Sequence, residues 1–487
     1  MLVEGRSKMV QAEENIIEGL ERLLRDVQIA AVVCNQFGDT GKGKFSDLLA
    51  QYWADVIARG TGGANAGHSV VIDGKTRVFH LLPAGMTYDK RGVVNIMGNG
   101  MVIDPFALNE ELDDLVRSGG SYNNLMISQD AHVILPFQID YDKAKDQSQR
   151  DGGIGSTGRG IGPAYTDKIA RRGIMVRHLL DKDTLATRLG KLQTFYPDIN
   201  IEKIVADLGP VTERLRPMVR DTVNAMHGFI ASGKKIGLEG AQSLLLSIEH
   251  GVYPYSTSSD CSVNGTASGV GISAKAIDLV LAICKFPFMS KVGGGPFPTE
   301  FGGRKSEEYC AATEVRKDGE KVAKFRAEVE KSMYPQGRDL MNDADEFMQG
   351  VGIRMAAGEY GATTGRPRRP GWTDAVAARY ASGINGPMKL VLTKVDCLAG
   401  INEFKICYGY RTPSGGRSED FVRDAGFLRS VTPEYRTYRG YGDIRDARSV
   451  ADLPEDLQQA IREFGEFARS PIGAISIGPE ANQTIIV

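Results

Sequence analysis

Three things that would steer a functional reading are scarce in this chain: tryptophan (two residues), cysteine (six) and net charge (−2 over 487 residues). The near cancellation of 59 Lys and Arg by 61 Asp and Glu excludes a broad electrostatic footprint for nucleic acid or an anionic membrane, so any basic chemistry must be local. The cysteines show no CxxC pair or other metal-ligand spacing. Cys34, Cys284 and Cys407 lie inside apolar runs, where a thiol packs as a small hydrophobe, which points to a reducing compartment. No apolar stretch approaches the roughly 20 residues a membrane span requires, and residues 1–27 are too acidic and polar for a secretory leader. A cytoplasmic protein with neither nucleic acid nor membrane as partner is the expectation.

What remains is a length that permits one elaborate domain or two to three smaller ones, without repeats or low-complexity tracts. Ile16, Ile17, Leu20, Leu23 and Leu24 recur at helical spacing, so residues 1–26 read as an extension carrying an amphipathic lead helix. Val27 to Cys34 is a short apolar run that ends at a Gly-rich turn and is followed by helical periodicity from Phe45 to Ala54: strand, loop, helix. Buried-strand candidates recur at 93–97, 235–238 and 389–393, and helical patterns such as Ala276 to Lys285 separate them. This alternation predicts an α/β fold with a mostly parallel central sheet flanked by helices. The charged stretch 304–355, with a helical patch at Val322 to Met333, reads as a helical insertion within a catalytic unit spanning 27–487.

The chemistry gathers in the loops. Gly38, Gly41 and Gly43 let the backbone approach a phosphate, and Gly38 to Lys44 has the GxxxxGK spacing of a phosphate loop. Phe45 stands where a Mg²⁺-binding Ser or Thr normally follows, and Asp39 places a carboxylate inside the loop, where it would be repelled unless it binds Mg²⁺ or takes a proton. Gly60 to His68 is a second Gly-rich loop that ends in a possible general acid. Ser156 to Pro163 offers hydroxyls and turn glycines for another phosphate, with Arg171 and Arg172 close behind. Gln242 follows a strand end, Thr363 to Arg369 packs three arginines and two threonines into one loop suited to a carboxylate, and Lys394 and Asp396 end an apolar strand, where an Asp can read guanine.

Taken in order, the segments QFGDTGKGK, GGANAGHS, STGRGIGPAYTDKIARRG, EGAQSLLLSIEHGVYPYSTSS, GGGPFPTEF, EYGATTGRPRRPGW and LTKVD resemble the adenylosuccinate synthetase family from about Val27 to Gly478. The resemblance implies a phosphate-loop NTPase-like fold with helical and loop insertions, and a GTP-dependent ligase that joins IMP to L-aspartate with Mg²⁺, normally as a homodimer. It implies Asp39, His68, Gln242 and Lys42 as catalytic residues, and Asp39 with Gly67 at the metal. Asn65, Thr157, Thr257 and a neighbouring subunit's Arg171 would hold IMP; Thr364, Arg366 and Arg368 would hold aspartate. For GTP it implies Gly38, Gly41, Gly43 and Lys44 at the phosphates, Lys394 and Asp396 at the base, and Ser476 with Gly478 as the C-terminal wall.

The sequence departs from the family pattern at Thr40, where Glu is usual, at Ser243, where Gly follows EGAQ, and at Ser247 and Glu249, where aspartates are common. Ser243 leaves a second reading open, the same chemistry on dGMP, whose 2-amino group needs an extra acceptor. A third reading, a GTP-binding regulator that never ligates, would have no use for Asp39, His68, Gln242 and the arginine loop together.

Overall fold

The computed structural model describes residues 14–65, 67–72, 75–148, 157–311, 322–361 and 365–487. Its central sheet has ten strands: β1 (Ile29–Cys34), β2 (Val56–Arg59), β3 (Val94–Met97), β4 (Leu125–Ser128), β5 (Val219–Arg220), β6 (Ile236–Glu239), β7 (Leu279–Lys285), β8 (Lys389–Thr393), β9 (Ile472–Ser476) and β10 (Thr484–Ile486). Across the sheet they run β10-β9-β8-β7-β1-β6-β2-β3-β4-β5. Every neighbouring pair is parallel except β9 with β10. The mostly parallel α/β sheet expected from sequence is therefore present.

Strand β1 shows why its residues are apolar without alternation. Ile29, Ala31 and Val33 pack on one face with Leu238, Ala282 and Leu390, while Ala30 and Val32 face a second core that contains Ile16, Leu20 and Leu24 of the lead helix α1 (residues 14–23, plus its last turn) and Phe45, Leu48 and Leu49 of α2 (Lys42–Tyr52). A strand covered on both faces needs no polar side. Arg22 of α1 also donates to the Ile486 carbonyl at 3.4 Å, tying the lead helix to β10. Residues 1–13 of the expected extension lie outside the described residues.

One expectation is corrected. The run Ala276 to Lys285, read as helical, is strand β7 preceded by a single 3-10 turn at Ala274–Ala276. It is an apolar run buried between β1 and β8, and in such runs periodicity does not separate buried strand from buried helix.

A second sheet begins where Phe288–Lys291 pairs antiparallel with Arg369–Asp374, setting Lys291 opposite Arg369, and is extended by Glu403–Arg411 and Thr432–Arg439. The 304–355 stretch contains helices Gly303–Ala311 and Val322–Met333 and enters a third, Glu346–Ala357; residues 312–321 lie outside the described residues. From the third helix the buried Arg354 pairs with Glu330 at 2.7 Å and donates to the Arg368 carbonyl at 2.9 Å, so this stretch braces the base of the arginine loop. No helix among the described residues is long and apolar enough to cross a membrane.

Candidate active site

Parallel strands send their carboxyl ends, and the loops that leave them, to one edge of the sheet. The loops after β1, β2, β6 and β8 accordingly meet around one cleft of about 930 Å³, lined among others by Gly38, Asp39, Gly41, Lys42, Gly43, Asn65, Gly67, Thr157, Gln242, Thr257, Arg368 and Lys394. Residues more than 350 positions apart in sequence thus share one wall.

The phosphate loop is a backbone nest: Gly38 (φ 116°), Asp39 (43°) and Gly41 (88°) turn left-handed, and Gly41 is the N-cap of α2. Successive N–H groups and a helix N-terminus then face the cleft, the arrangement that binds anions. Gln36 anchors the loop from below, exchanging hydrogen bonds of 2.8 and 2.9 Å with the Lys285 backbone. Among the described residues only Asp39, Arg171, Gln242, Lys394 and Arg469 combine a side chain with positive φ, and the first four are candidate site residues. Such conformations cost about 1–3 kcal/mol each and persist where the surroundings over-determine them, which is typical of working sites.

Asp39 is held by Arg368 Nη2 at 2.6 Å. Burial pushes its carboxyl up, but Arg368, Lys285 and Lys42 outweigh that and hold it below the usual carboxylate range. Lys42 Nζ donates to the Gln242 carbonyl at 2.5 Å, joining the β1 and β6 loops. The Gln242 amide is different: its Oε1 and Nε2 are both buried without a hydrogen-bond partner, although the residue lines the cleft. An orphaned buried polar group costs about 1–3 kcal/mol, so this one is set up for a ligand. Asn65 accepts from Gly63 N at 3.2 Å.

Several residues are placed away from the cleft lining. Lys44, expected at the phosphates, turns instead to Ser476 Oγ (2.8 Å), Gly478 O (2.8 Å) and Gln483 O (3.0 Å), and burial lowers its pKa to about 7 against the pull of Asp396 and Glu480. It therefore builds the C-terminal wall with Ser476 and Gly478, next to Asp396, whose carboxyl burial pushes up. Arg171 is exposed and is not part of the cleft lining. Its neighbour Arg172 lines the cleft, stacked 3.8 Å over Phe195 and fixed by Asp167 at 2.7 Å. Arg366 lies in the loop outside the lining, and Arg369 is consumed by a buried pair with Glu300. The side chain of His68, Thr364, Thr363 and Ser156 lie outside the described residues; the His68 backbone opens the strand His68–Ile72 directly after Gly67.

Sequence reading missed Glu359, a fully buried carboxylate beneath the cleft. It accepts from Lys285 Nζ (2.6 Å), Ser290 Oγ (2.8 Å) and Arg368 Nη1 (2.9 Å), and its other oxygen pairs with Lys394 Nζ at 3.2 Å. The one signal was its place as the first residue of the segment EYGATTGRPRRPGW, four positions ahead of the arginine loop. Ser243, the reason for entertaining dGMP, is fully buried, and the cleft lining does not include it.

For Mg²⁺, no group of three or more His, Cys, Asp or Glu gathers among the described residues. A nucleotide-bound Mg²⁺ needs only one or two carboxylates beside substrate phosphates, and Asp39 and Gly67 share the cleft with the phosphate nest. The donor set fits.

A phosphate nest carrying its own ionised carboxylate, at the carboxyl edge of a parallel sheet, defines a phosphoryl-transferring α/β enzyme. Residues 31–485 match the adenylosuccinate synthetase family. Curated adenylosuccinate synthetases of Halothermothrix orenii (39% identical, 93% of this chain, 97% of that one) and Myxococcus xanthus (36%, 94% and 98%) align along nearly the whole length. Among solved structures, fully ligated adenylosuccinate synthetase from Plasmodium falciparum superimposes with a TM-score of 0.79 at 30% identity, covering 94% of this chain and 100% of that one. Cyanophage S-2L succinoaminodeoxyadenylate synthetase, bound to dGMP and dATP, gives 0.53 at 20% identity, a likeness of fold alone. The chain belongs to the adenylosuccinate synthetase family.

Proposed function

We infer that the cleft joins IMP and L-aspartate at the expense of GTP, yielding adenylosuccinate, GDP and phosphate. The observation that carries this reading is the pairing of an ionised Asp39 with the partnerless Gln242 amide across one cleft. A carboxylate can take the N1 proton of IMP, and an amide donor can steady O6 as it becomes nucleophilic towards the γ-phosphate. Lys42 and the nest of Gly38, Gly41 and Gly43 would carry the transferring charge, and His68 would assist the departing GDP. Mg²⁺, held through Asp39 and Gly67 together with the substrate phosphates, would offset charge between the phosphates. Aspartate's amine then displaces the phosphate of 6-phosphoryl-IMP at C6, with Thr364, Arg366 and Arg368 receiving its carboxylates.

Asn65, Thr157 and Thr257 are assigned to IMP, and Lys394, Asp396, Ser476 and Gly478 to the GTP base. Arg171 would serve the IMP phosphate of a second copy: it is exposed and outside the cleft lining, two residues from Ile169, an isoleucine 78% exposed. An apolar side chain so open beside an exposed arginine suits a dimer face. The reading keeps a cytoplasmic setting, with the unit 27–487 as the catalytic body and 304–355 inserted in it. The test is phosphate release from GTP with each substrate omitted in turn. Release that requires both IMP and aspartate supports the reading; GTP hydrolysis without either contradicts it. Replacing IMP by dGMP is expected to give no release.

A further inference from the structure

We propose that Glu359 is the positioning residue that ties the aspartate end of the cleft to its GTP-base end. This rests on the ligase reading above and adds to it a group that touches no substrate.

The geometry has two arms. Oxygen Oε2 of Glu359 accepts from Arg368 Nη1 at 2.9 Å, and the other face of the same guanidinium holds Asp39 at 2.6 Å. Oxygen Oε1 pairs with Lys394 at 3.2 Å, and Lys394 also donates to the Ala357 carbonyl at 2.6 Å, which fixes it where β8 enters the base clamp. Arg368 and Lys394 both line the cleft, whereas Glu359 is fully buried behind them. The backbone repeats the link: Arg368 N donates to Glu359 O at 2.9 Å. One carboxylate therefore sets the direction of two cations that face different substrates.

Charge alone does not require this arrangement. Lys285, at 2.6 Å, is the strongest partner of Glu359, and a carboxylate present only to neutralise that buried lysine would need no contact with Arg368 or Lys394. Planar guanidinium and carboxylate groups fix each other's orientation, so losing the Glu359 contact leaves Arg368 held on one side only, by Asp39. Lys394, in a left-handed backbone conformation (φ 57°), loses the anion that offsets that placement.

The test compares three forms of the whole chain, wild type, Glu359→Gln, and the double variant Lys285→Met/Glu359→Gln, which removes the buried pair without changing net charge. KM is measured separately for IMP, GTP and L-aspartate, with thermal unfolding as the check on folding. Positioning predicts that KM for aspartate and for GTP each rises about tenfold in both variants, while KM for IMP moves by less than about twofold. Recovery of both constants in the double variant would show that Glu359 only neutralises Lys285; an equal rise for IMP, or failure of both variants to fold, would make it a structural charge. Each of these overturns the inference. A wild-type protein that releases no phosphate in the presence of all three substrates would instead overturn the ligase reading itself.

Discussion

The Arg368 guanidinium lies 2.6 Å from the Asp39 carboxylate, so the carboxylate in the phosphate nest is held towards its ionised form by a cation. Arg368 belongs to the loop assigned to L-aspartate. On the proposed reading, the residue that would receive one substrate prepares the group that would activate another, and this coupling shapes the expectations that follow.

Removing the base should separate chemistry from binding. Asp39→Ala is expected to lower kcat by about 10²–10⁴ while GTP binding stays measurable by calorimetry. Appreciable turnover in this variant would remove Asp39 from the proton transfer.

The pH profile follows from the sign of the Asp39 shift. Burial alone would raise its pKa, and Arg368, Lys285 and Lys42 reverse that, so the folded value is depressed. The ionised form then persists through the ordinary carboxylate range and is lost only as pH falls beneath it, which puts the acid limb of kcat/KM for IMP below that range. Arg368→Gln withdraws the largest favourable charge and should move that limb to higher pH. A limb that stays in place would mean another group governs it.

Gln242 should show opposite effects on stability and activity. Because neither amide atom has a partner, Gln242→Leu exchanges an orphaned polar group for an apolar one of similar size, and Tm should hold or rise. Activity should fall by about 10²-fold, the scale seen when one donor to a developing oxyanion is removed. A lower Tm with activity retained would make the residue structural.

The lead helix should affect stability alone. Leu20 is buried against β1 and α2, and Leu20→Ala should cost about 2–5 kcal/mol with all three KM values unchanged. Chemical denaturation measures the first and steady-state kinetics the second; a changed KM would tie the helix to the site.

Local pattern carried the reading where local physics decides. The apolar run to Cys34, the glycines at 38, 41 and 43 and the periodicity of α2 were legible because strand, nest and helix each have their own signature. The misreading of Ala276 to Lys285 arose because a strand covered on both faces keeps no alternation. Side-chain direction was illegible: Lys44 follows the phosphate loop in sequence, yet its amine turns to Ser476 and Gly478, partners more than 430 positions away. Glu359 escaped for a related reason, since its importance lies in Lys285, Arg368 and Lys394, which only the parallel topology and the second sheet bring together.

The central claim is that Asp39 ionises IMP so that its O6 captures the γ-phosphoryl group of GTP. IMP labelled with ¹⁸O at C6 tests it directly, with the released phosphate read by mass spectrometry. The label should appear in the phosphate in the wild-type protein and be lost with turnover in Asp39→Ala. Unlabelled phosphate from a productive reaction would mean that O6 never accepts the phosphoryl group, and the account would be wrong.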